Sequence, residues 1–113
     1  MQEGDVVIVA MPQADGSVKN RPAVILCEMP PFQDMLVCGV STQLRQEVKD
    51  FDEIVSPADS DFADSGLVGE SLIRLGYLTV VPQSQIVGVI GSISSIRHQG
   101  LLEKLSSYLI RSR

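Results

Sequence analysis

Two short runs of apolar and β-branched residues near the N-terminus constrain the fold more than any other stretch. These runs are Val6–Met11 and Ala23–Leu26, and residues of this kind favour strands. Residues 12–20 between them are polar and contain Pro, Asp, Gly and Asn, which are typical of turns. We therefore predict a β-hairpin with a long tip at residues 12–20. The almost continuous apolar run of the first strand predicts burial on both of its faces.

Arg21 stands where the predicted tip re-enters the sheet, between Lys19-Asn20 and Pro22. Pro22 has a fixed φ and pushes the residue before it towards extended geometry. A guanidinium held in this way can bind a phosphate or a carboxylate through two hydrogen bonds. The alternative is an ion pair with a nearby acidic residue at the start of a strand. Spacing alone favours this alternative.

The rest of the chain reads as further short strands followed by one helix. After a second strand at residues 22–28, the predicted strands are Met35–Ser41, Phe51–Val55, Leu72–Val81 and Ile86–Ile93. Gly76 lies inside one of them and predicts a bulge. The length of the chain suits a single domain over residues 1–113, and the many short apolar strands with one terminal helix indicate its architecture. Its predicted fold is mainly β, a small, strongly bent antiparallel sheet or barrel.

A C-terminal helix is predicted after Ser94 and Ser95, either of which can cap its N-terminus. Leu101, Leu105, Tyr108 and Leu109 recur with helical spacing and predict one apolar face that seals the sheet. His98, in the polar start of this helix, is predicted to be a solvated side chain. A catalytic role for it is the weaker alternative, because no partner motif accompanies it.

The acidic residues are concentrated in one segment. The net charge is −5, yet seven of the 14 acidic residues lie within residues 50–70, which contain no Lys or Arg. The remainder carries a slight excess of basic residues, so a basic groove remains possible despite the overall acidity. We predict that Ser56–Ser65, within this acidic segment, forms a surface loop. The candidates to line the groove are Lys19, Arg21, Arg45, Lys49 and Arg74.

The cysteines and the single histidine exclude several classes of protein. Cys27 and Cys38 are too few for a disulfide framework, and we predict reduced, buried thiols in the cytoplasm. One histidine and two cysteines also fall short of a four-ligand zinc site, so no metal is predicted.

No basic signal segment opens the chain, and no apolar run approaches the roughly 18 residues that a membrane-spanning helix needs. We predict no membrane association and no cofactor.

Four blocks of sequence, in order, resemble the MazF/PemK/Kid family of bacterial toxins. The first is the Gly-Asp-Val-Val start at residue 4, followed by the polar loop and Arg-Pro-Ala-Val-Ile-Leu at residues 21–26. The second is Val37–Gln43, a strand that ends in a hydroxyl pair. The others are residues 66–74 and 89–94. The resemblance implies a single toxin domain with an SH3-like antiparallel β-barrel and a C-terminal α-helix.

The resemblance also implies an activity, partners and site residues. Members of the family are usually metal-independent endoribonucleases that cleave single-stranded RNA through attack by its 2′-hydroxyl on the phosphate. Arg21 matches the family arginine that clamps the phosphate or acts as the acid, and Ser41 matches the hydroxyl that positions it. Lys19, Asn20, Thr42, Gln43 and Arg74 are the implied RNA contacts. A homodimer and a cognate antitoxin protein with an acidic tail are the implied partners.

One position departs from the family pattern. Some members of the Kid branch follow the arginine that Arg74 matches with an aspartate base two residues later, whereas this chain has Gly76. A missing base lowers the expected rate more than it lowers RNA binding. Two alternatives therefore stay open. One is a weakly catalytic binding module of the same fold that inhibits a protein target such as gyrase, and the other is a β-barrel adaptor whose charges are merely solvated.

Overall fold

Six antiparallel strands form one curled, half-barrel sheet in the computed structural model, which describes residues 1–111. The strand order is β4-β5-β3-β2-β1-β6. Two α-helices and two single turns of 3₁₀ helix, Leu44–Gln46 and Gln83–Gln85, complete the described chain. The strands and helices are β1 Asp5–Pro12, β2 Val18–Met29, β3 Asp34–Ser41, β4 Glu53–Val55, α1 Phe62–Ser65, β5 Ser71–Val81, β6 Ile86–Ser92 and α2 Ser95–Leu109.

The predicted strands are all present, but the first hairpin has a much shorter tip than the sequence predicts. β2 begins at Val18, and only residues 13–17 connect it to β1. Lys19 and Arg21 pair with Met11 and Val9 of β1 rather than lying in a loop. This end of the hairpin is exposed to solvent, so its residues are polar, and polar residues in a sequence suggest a loop. A strand at an exposed position is held by backbone hydrogen bonds to its neighbour and does not need apolar side chains.

The sheet buries apolar residues on both of its faces, as the first strand predicts. On one face, β1, β2, β3 and β5 pack against α2 through a cluster that includes Val6, Leu26, Leu75 and Leu101. On the other face, the curl of the sheet encloses a second cluster that includes Val9 and Ile25. Successive residues of a strand point to opposite faces. An unbroken apolar run such as Val6–Val9 therefore serves both clusters.

Helix α2 is capped as predicted and packs on the sheet through Leu101 and Leu105, but its last turn does not. The Ser94 hydroxyl accepts a hydrogen bond from the Arg97 backbone N–H at 3.1 Å, and Leu101 and Leu105 are buried. The prediction for Tyr108 and Leu109 is wrong, since these side chains are 49% and 66% exposed. Tyr108 lies in the last turn and contacts the Phe51 ring, with 5.0 Å between the ring centroids. Phe51 precedes β4, which is shorter than the predicted Phe51–Val55 strand.

His98 is not solvated as predicted. Its side chain is half-buried, and its Nε2 lies 2.8 Å from the carbonyl oxygen of Leu26. The ring therefore links α2 to β2. No helix within residues 1–111 combines the length and the apolar character that crossing a membrane requires.

The two cysteines are free thiols and do not face each other. Cys27 pairs with Leu36 across the β2–β3 ladder, whereas Cys38 pairs with Val24. Cys38 is buried, and burial raises the pKa of its thiol to about 12. Cys27 is half-buried, so the prediction of buried thiols holds fully for Cys38 alone.

The acidic segment is packed into the fold, and Ser56–Ser65 is not the surface loop that its composition predicts, since Asp61 and Ser65 are buried. Arg97 of α2 reaches into it and binds three carboxylates, with N···O distances of 2.8 Å to Asp61, 3.0 Å to Glu53 and 3.0 Å to Asp59. Asp52 is buried and accepts the backbone N–H of Leu75 at 3.0 Å. Charged side chains are buried here because each has a charged or hydrogen-bonding partner, which composition alone does not reveal.

The contact between Arg97 and Asp61 makes folding stability depend on pH. The Arg97 guanidinium and the Ser94 backbone N–H lower the pKa of Asp61 from 3.8 to about 2. The carboxylate therefore stabilises the fold fully above about pH 4 and loses this effect as the pH falls towards 2. We expect a loss of about 2 kcal/mol in the free energy of unfolding over that range. Urea unfolding at several pH values measures it, and the profile of Asp61→Asn should be flatter. Asp64→Asn, at an exposed carboxylate of α1, should keep the wild-type slope.

Gly91 of β6 lies where the strand passes directly under α1. A Cβ atom at this position would overlap the backbone of Asp64 and Ser65. We expect Gly91→Ala to lower the free energy of unfolding by about 1–3 kcal/mol, because two backbone segments must move apart. Gly88→Ala is the matched control on the same strand, since a Cβ there meets no atom within 4 Å. Equal urea midpoints for the two variants would contradict the expected clash.

Candidate active site

A cleft of about 440 Å³ opens on the face of the sheet opposite α2. Its floor is formed by β2, β3 and β5, and the end of β1 and the connection before β5 form its walls. Apolar residues that continue the second cluster, such as Met11, lie at its base. Polar residues surround them, so the cleft can contact both the apolar and the charged parts of a ligand.

The strand register explains why Arg21, Ser41 and Arg74 line this one cleft. Ala23 of β2 pairs with Gly39 of β3, and Gly39 pairs with Arg74 of β5. Arg21 and Ser41 lie two residues from this pair on their own strands, so they point to the same face. The structure therefore brings together the guanidinium and the hydroxyl that lie far apart in the sequence.

Arg21 is held at the rim by the hairpin tip. Its Nη2 lies 3.4 Å from Oε1 of Gln13, and Nε2 of Gln13 donates to the carbonyl oxygen of Met11 at 3.1 Å. The Arg21 side chain is otherwise exposed. Gln13 thus orients one end of the guanidinium and leaves its other N–H groups free to bind a ligand from solution.

Ser41, Thr42 and Gln43 form the opposite wall, where β3 ends. The Ser41 hydroxyl accepts the backbone N–H of Gln43 at 3.0 Å. This bond uses a lone pair of the oxygen, so the hydroxyl hydrogen can still be donated to a ligand. Ser41 is half-buried, whereas Thr42 and Gln43 are exposed. The geometry makes Ser41 a fixed donor and makes Thr42 and Gln43 contacts at the mouth.

Arg74 is placed in the cleft by a bulge in β5. The register with β3 shifts between the Cys38–Leu78 pair and the Gly39–Arg74 pair, so Gly76 lies in an irregular stretch, as predicted. The Arg74 guanidinium lies 5.8 Å from the centre of the Tyr77 ring. The charged residues that line the described cleft are Arg21 and Arg74, and no Asp, Glu or His of the described chain joins them. The cleft is therefore suited to an anion.

Four of the basic-groove and contact candidates lie outside this cleft. Lys19 and Asn20 are exposed on β2 beyond Arg21, and neither Arg45 nor Lys49 lines the cleft. Asn20 adjoins Arg21 in the strand and therefore points to the opposite face, whereas Lys19 shares the face of Arg21 but lies two residues further towards the hairpin tip. The sequence did not predict that Gln13 and Tyr77 line the cleft. Gln13 contacts Arg21, and Tyr77 contacts Arg74. An isolated aromatic residue directly after Gly76 was a signal for Tyr77.

No three His, Cys, Asp or Glu side chains within residues 1–111 are close enough together to hold a metal ion. The absence of carboxylates from the described lining agrees with a site that binds anions directly through Arg side chains. Two guanidiniums and a hydroxyl donor across one cleft are a combination that can hold a phosphate and stabilise negative charge on its oxygens.

Comparison with protein families identifies the group to which the fold and the cleft belong. The family described as the PemK-like, MazF-like toxins of type II toxin–antitoxin systems matches residues 2–109. The chain belongs to this family. MazF-family toxins are endoribonucleases, and the sequence resemblance is thereby confirmed. No curated protein sequence gives a significant match.

Solved structures share the fold at low sequence identity. Mycobacterium tuberculosis toxin MazF-mt6 is 19% identical with a TM-score of 0.69, over 96% of this chain and 99% of the toxin. An endoribonuclease in complex with its cognate antitoxin, from a mycobacterial species, is 11% identical with a TM-score of 0.71, over 100% and 99% of the two chains. The MazE–MazF structure from Deinococcus radiodurans is 19% identical with a TM-score of 0.65, over 99% and 97%. The predicted MazF-type fold, mainly β with a C-terminal helix, is confirmed.

Proposed function

We propose that this toxin is an endoribonuclease that cleaves single-stranded RNA in the cleft between Arg21, Ser41 and Arg74. The observation that carries the proposal is the convergence of two guanidiniums and one hydroxyl on one cleft. Single-stranded RNA fits such a site because its phosphates are anionic and its bases are free to enter a pocket. Membership of a family of endoribonucleases supports the same activity.

The proposed reaction begins with attack of the RNA 2′-hydroxyl on the adjacent phosphate. Arg21 and Arg74 bind the phosphoryl oxygens and stabilise the charge that grows on them in the transition state. Ser41 donates its hydroxyl hydrogen to the same phosphate and fixes its position. The 2′-hydroxyl gives up its proton to water as its oxygen forms a bond to phosphorus, the bond from phosphorus to the 5′-oxygen breaks, and the leaving 5′-oxygen takes up a proton from water. The products are a 2′,3′-cyclic phosphate and a 5′-hydroxyl.

The described cleft residues supply positioning and charge stabilisation but no carboxylate or imidazole base. A positioned general base contributes about 10²–10⁴-fold to a rate. Gly76 stands where the resemblance implies an aspartate, and a Cβ at this position meets no atom within 4 Å. We therefore expect cleavage that is slow for an endoribonuclease while RNA binding remains substantial.

The test is incubation of the pure toxin with single-stranded RNA and with DNA of the same sequence, each with EDTA present. We expect RNA cleavage that EDTA does not abolish, with 5′-hydroxyl ends that polynucleotide kinase labels directly. DNA should bind without being cut because it lacks the 2′-hydroxyl. Cleavage of DNA, or RNA products with 5′-phosphate ends, would rule out this mechanism.

A second candidate function is inhibition of a protein target such as gyrase, with little or no cleavage. The lack of a carboxylate in the described cleft favours it over a fast nuclease. The two candidates separate in cells. Growth arrest that persists in Arg21→Ala, without RNA fragments, would support the protein target, whereas loss of arrest in that variant supports the ribonuclease.

We further propose a homodimer, an antitoxin partner and action in the cytoplasm, where mRNA is the substrate. Strand β6 is an edge of the sheet, and it exposes Val87 and Val89. An exposed apolar edge strand favours pairing with a second chain.

Solved structures of similar fold are complexes with MazE or a cognate antitoxin. An acidic antitoxin segment would compete with RNA for Arg21 and Arg74, which a displacement assay measures.

A further inference from the structure

Tyr77 presents an exposed aromatic ring inside the cleft, and the proposed phosphate contacts do not include that ring. It is 43% exposed, and no other aromatic residue of the described chain lines the cleft. The neighbouring residue on β5, Gly76, offers no side chain to cover it. An aromatic ring left in contact with water beside an anion-binding site is a natural surface for a nucleic-acid base, since every base has a flat face that can stack.

The backbone of β3 is adapted to this ring. Gly39 lies beneath Tyr77, and a Cβ atom at residue 39 would come within 3.0 Å of the Tyr77 Cδ1 atom. A larger residue at this position would therefore displace the ring. The bulge that follows Arg74 brings Tyr77 onto the same face of the sheet as Arg21 and Ser41, because the register with β3 shifts there.

The groups around the ring match the two parts of a nucleotide. Arg74 lies 5.8 Å from the ring centre, so its charge adjoins the ring while its guanidinium can contact a phosphate. Val68, in the wall of the cleft, is fully exposed and adds an apolar contact. A phosphate held by the arginines therefore places its attached nucleoside within reach of an aromatic and an aliphatic surface.

We propose that Tyr77 is the stacking platform for one unpaired base of the RNA whose phosphate Arg21 and Arg74 hold. This inference rests on the proposed function and names a base-binding subsite within it. Stacking does not distinguish one base from another, so the subsite selects unpaired over paired nucleotides rather than a particular sequence. The base is bound face-on, with the apolar side chain of Val68 beside it.

The two tyrosines of the chain allow a direct test. The protein has no tryptophan, so in a Tyr108→Phe variant the tyrosine emission comes from Tyr77 alone. Tyr108 belongs to the last turn of α2, against Phe51 and away from the cleft. Titration of this variant with a short 2′-O-methylated RNA, which cannot be cleaved, should quench the emission as the base stacks on the ring. Fluorescence anisotropy of an end-labelled copy of the same RNA measures its affinity in parallel.

Substitutions of Tyr77 complete the test. We expect Tyr77→Ala to weaken RNA binding by about 5- to 150-fold, in line with the measured value of base–aromatic stacking. Tyr77→Phe should bind within about twofold of wild type because it keeps the ring. With cleavable RNA, Tyr77→Ala should raise KM more than it lowers kcat. Circular dichroism verifies that both variants are folded.

Two results would overturn the inference, and they are distinguishable. RNA binding and cleavage at wild-type levels by Tyr77→Ala, with unchanged Tyr77 emission in the Tyr108→Phe variant, would remove the stacking platform and leave the ribonuclease proposal intact. Failure of the wild-type toxin to bind the RNA at all would remove both.

Discussion

Arg21→Ala should reduce the rate of RNA cleavage by about 100- to 1,000-fold. This is the usual cost of removing one preorganised donor from a developing oxyanion. Arg21 is exposed and its side-chain contact is a 3.4 Å approach to Gln13, so the variant should keep its stability. Single-turnover cleavage of a labelled RNA measures the effect on chemistry separately from binding and product release.

A matched control removes the same charge elsewhere. Arg111→Ala deletes a guanidinium that lies over the Tyr108 ring on α2, outside the cleft. It should cleave within about twofold of wild type, which separates a local role of Arg21 from a general effect of net charge on RNA attraction. Equal losses in the two variants would indicate that charge alone accounts for the role of Arg21.

Arg97→Met should lower the free energy of unfolding by about 3–5 kcal/mol, which is the usual cost of breaking a buried ion pair from one side. The Arg97 side chain is only 13% exposed and binds Glu53, Asp59 and Asp61. Its loss leaves the buried carboxylate of Asp61 without its cationic partner and removes one partner from the partly exposed Glu53 and Asp59, although Lys104 still reaches Glu53 at 3.3 Å. Urea unfolding monitored by circular dichroism measures the change.

Arg45→Met is the control for this second prediction. It makes the same substitution at an exposed arginine in the 3₁₀ turn Leu44–Gln46 and should change stability by less than about 0.5 kcal/mol. Arg97→Lys should fall between the two, because lysine keeps the charge but cannot bind three carboxylates in a planar fork. An Arg97→Met variant as stable as Arg45→Met would contradict a structural role for the network.

The sequence was sufficient to predict the strands, the helix cap and the meeting of Arg21 with Ser41. The strands and the cap depend on local sequence patterns. The meeting of Arg21 with Ser41 follows from a simple rule: consecutive antiparallel strands pair, and every second residue of a strand points to the same face. The same rule explains the error at Lys19 and Asn20. Composition assigned them to a loop, whereas the backbone of β1 was available to pair with them.

The role of Arg97 could not be predicted in the same way. Its partners lie 36 to 44 residues away in the chain, and nothing in the spacing of Glu53, Asp59 and Asp61 indicates that one cation meets them all. Ser56–Ser65 was therefore predicted to be a surface loop. Likewise, Gly76 predicted a bulge in β5 but did not indicate the size of the register shift that packs Tyr77 over Gly39.

We propose that one cleft holds an RNA phosphate between Arg21 and Arg74. The most direct test is a crystal structure of the toxin with a 2′-O-methylated RNA that binds but cannot react. We expect a phosphate within hydrogen-bonding distance of both guanidiniums and of the Ser41 hydroxyl. An oligonucleotide bound on another face, with no phosphate between the two arginines, would contradict it.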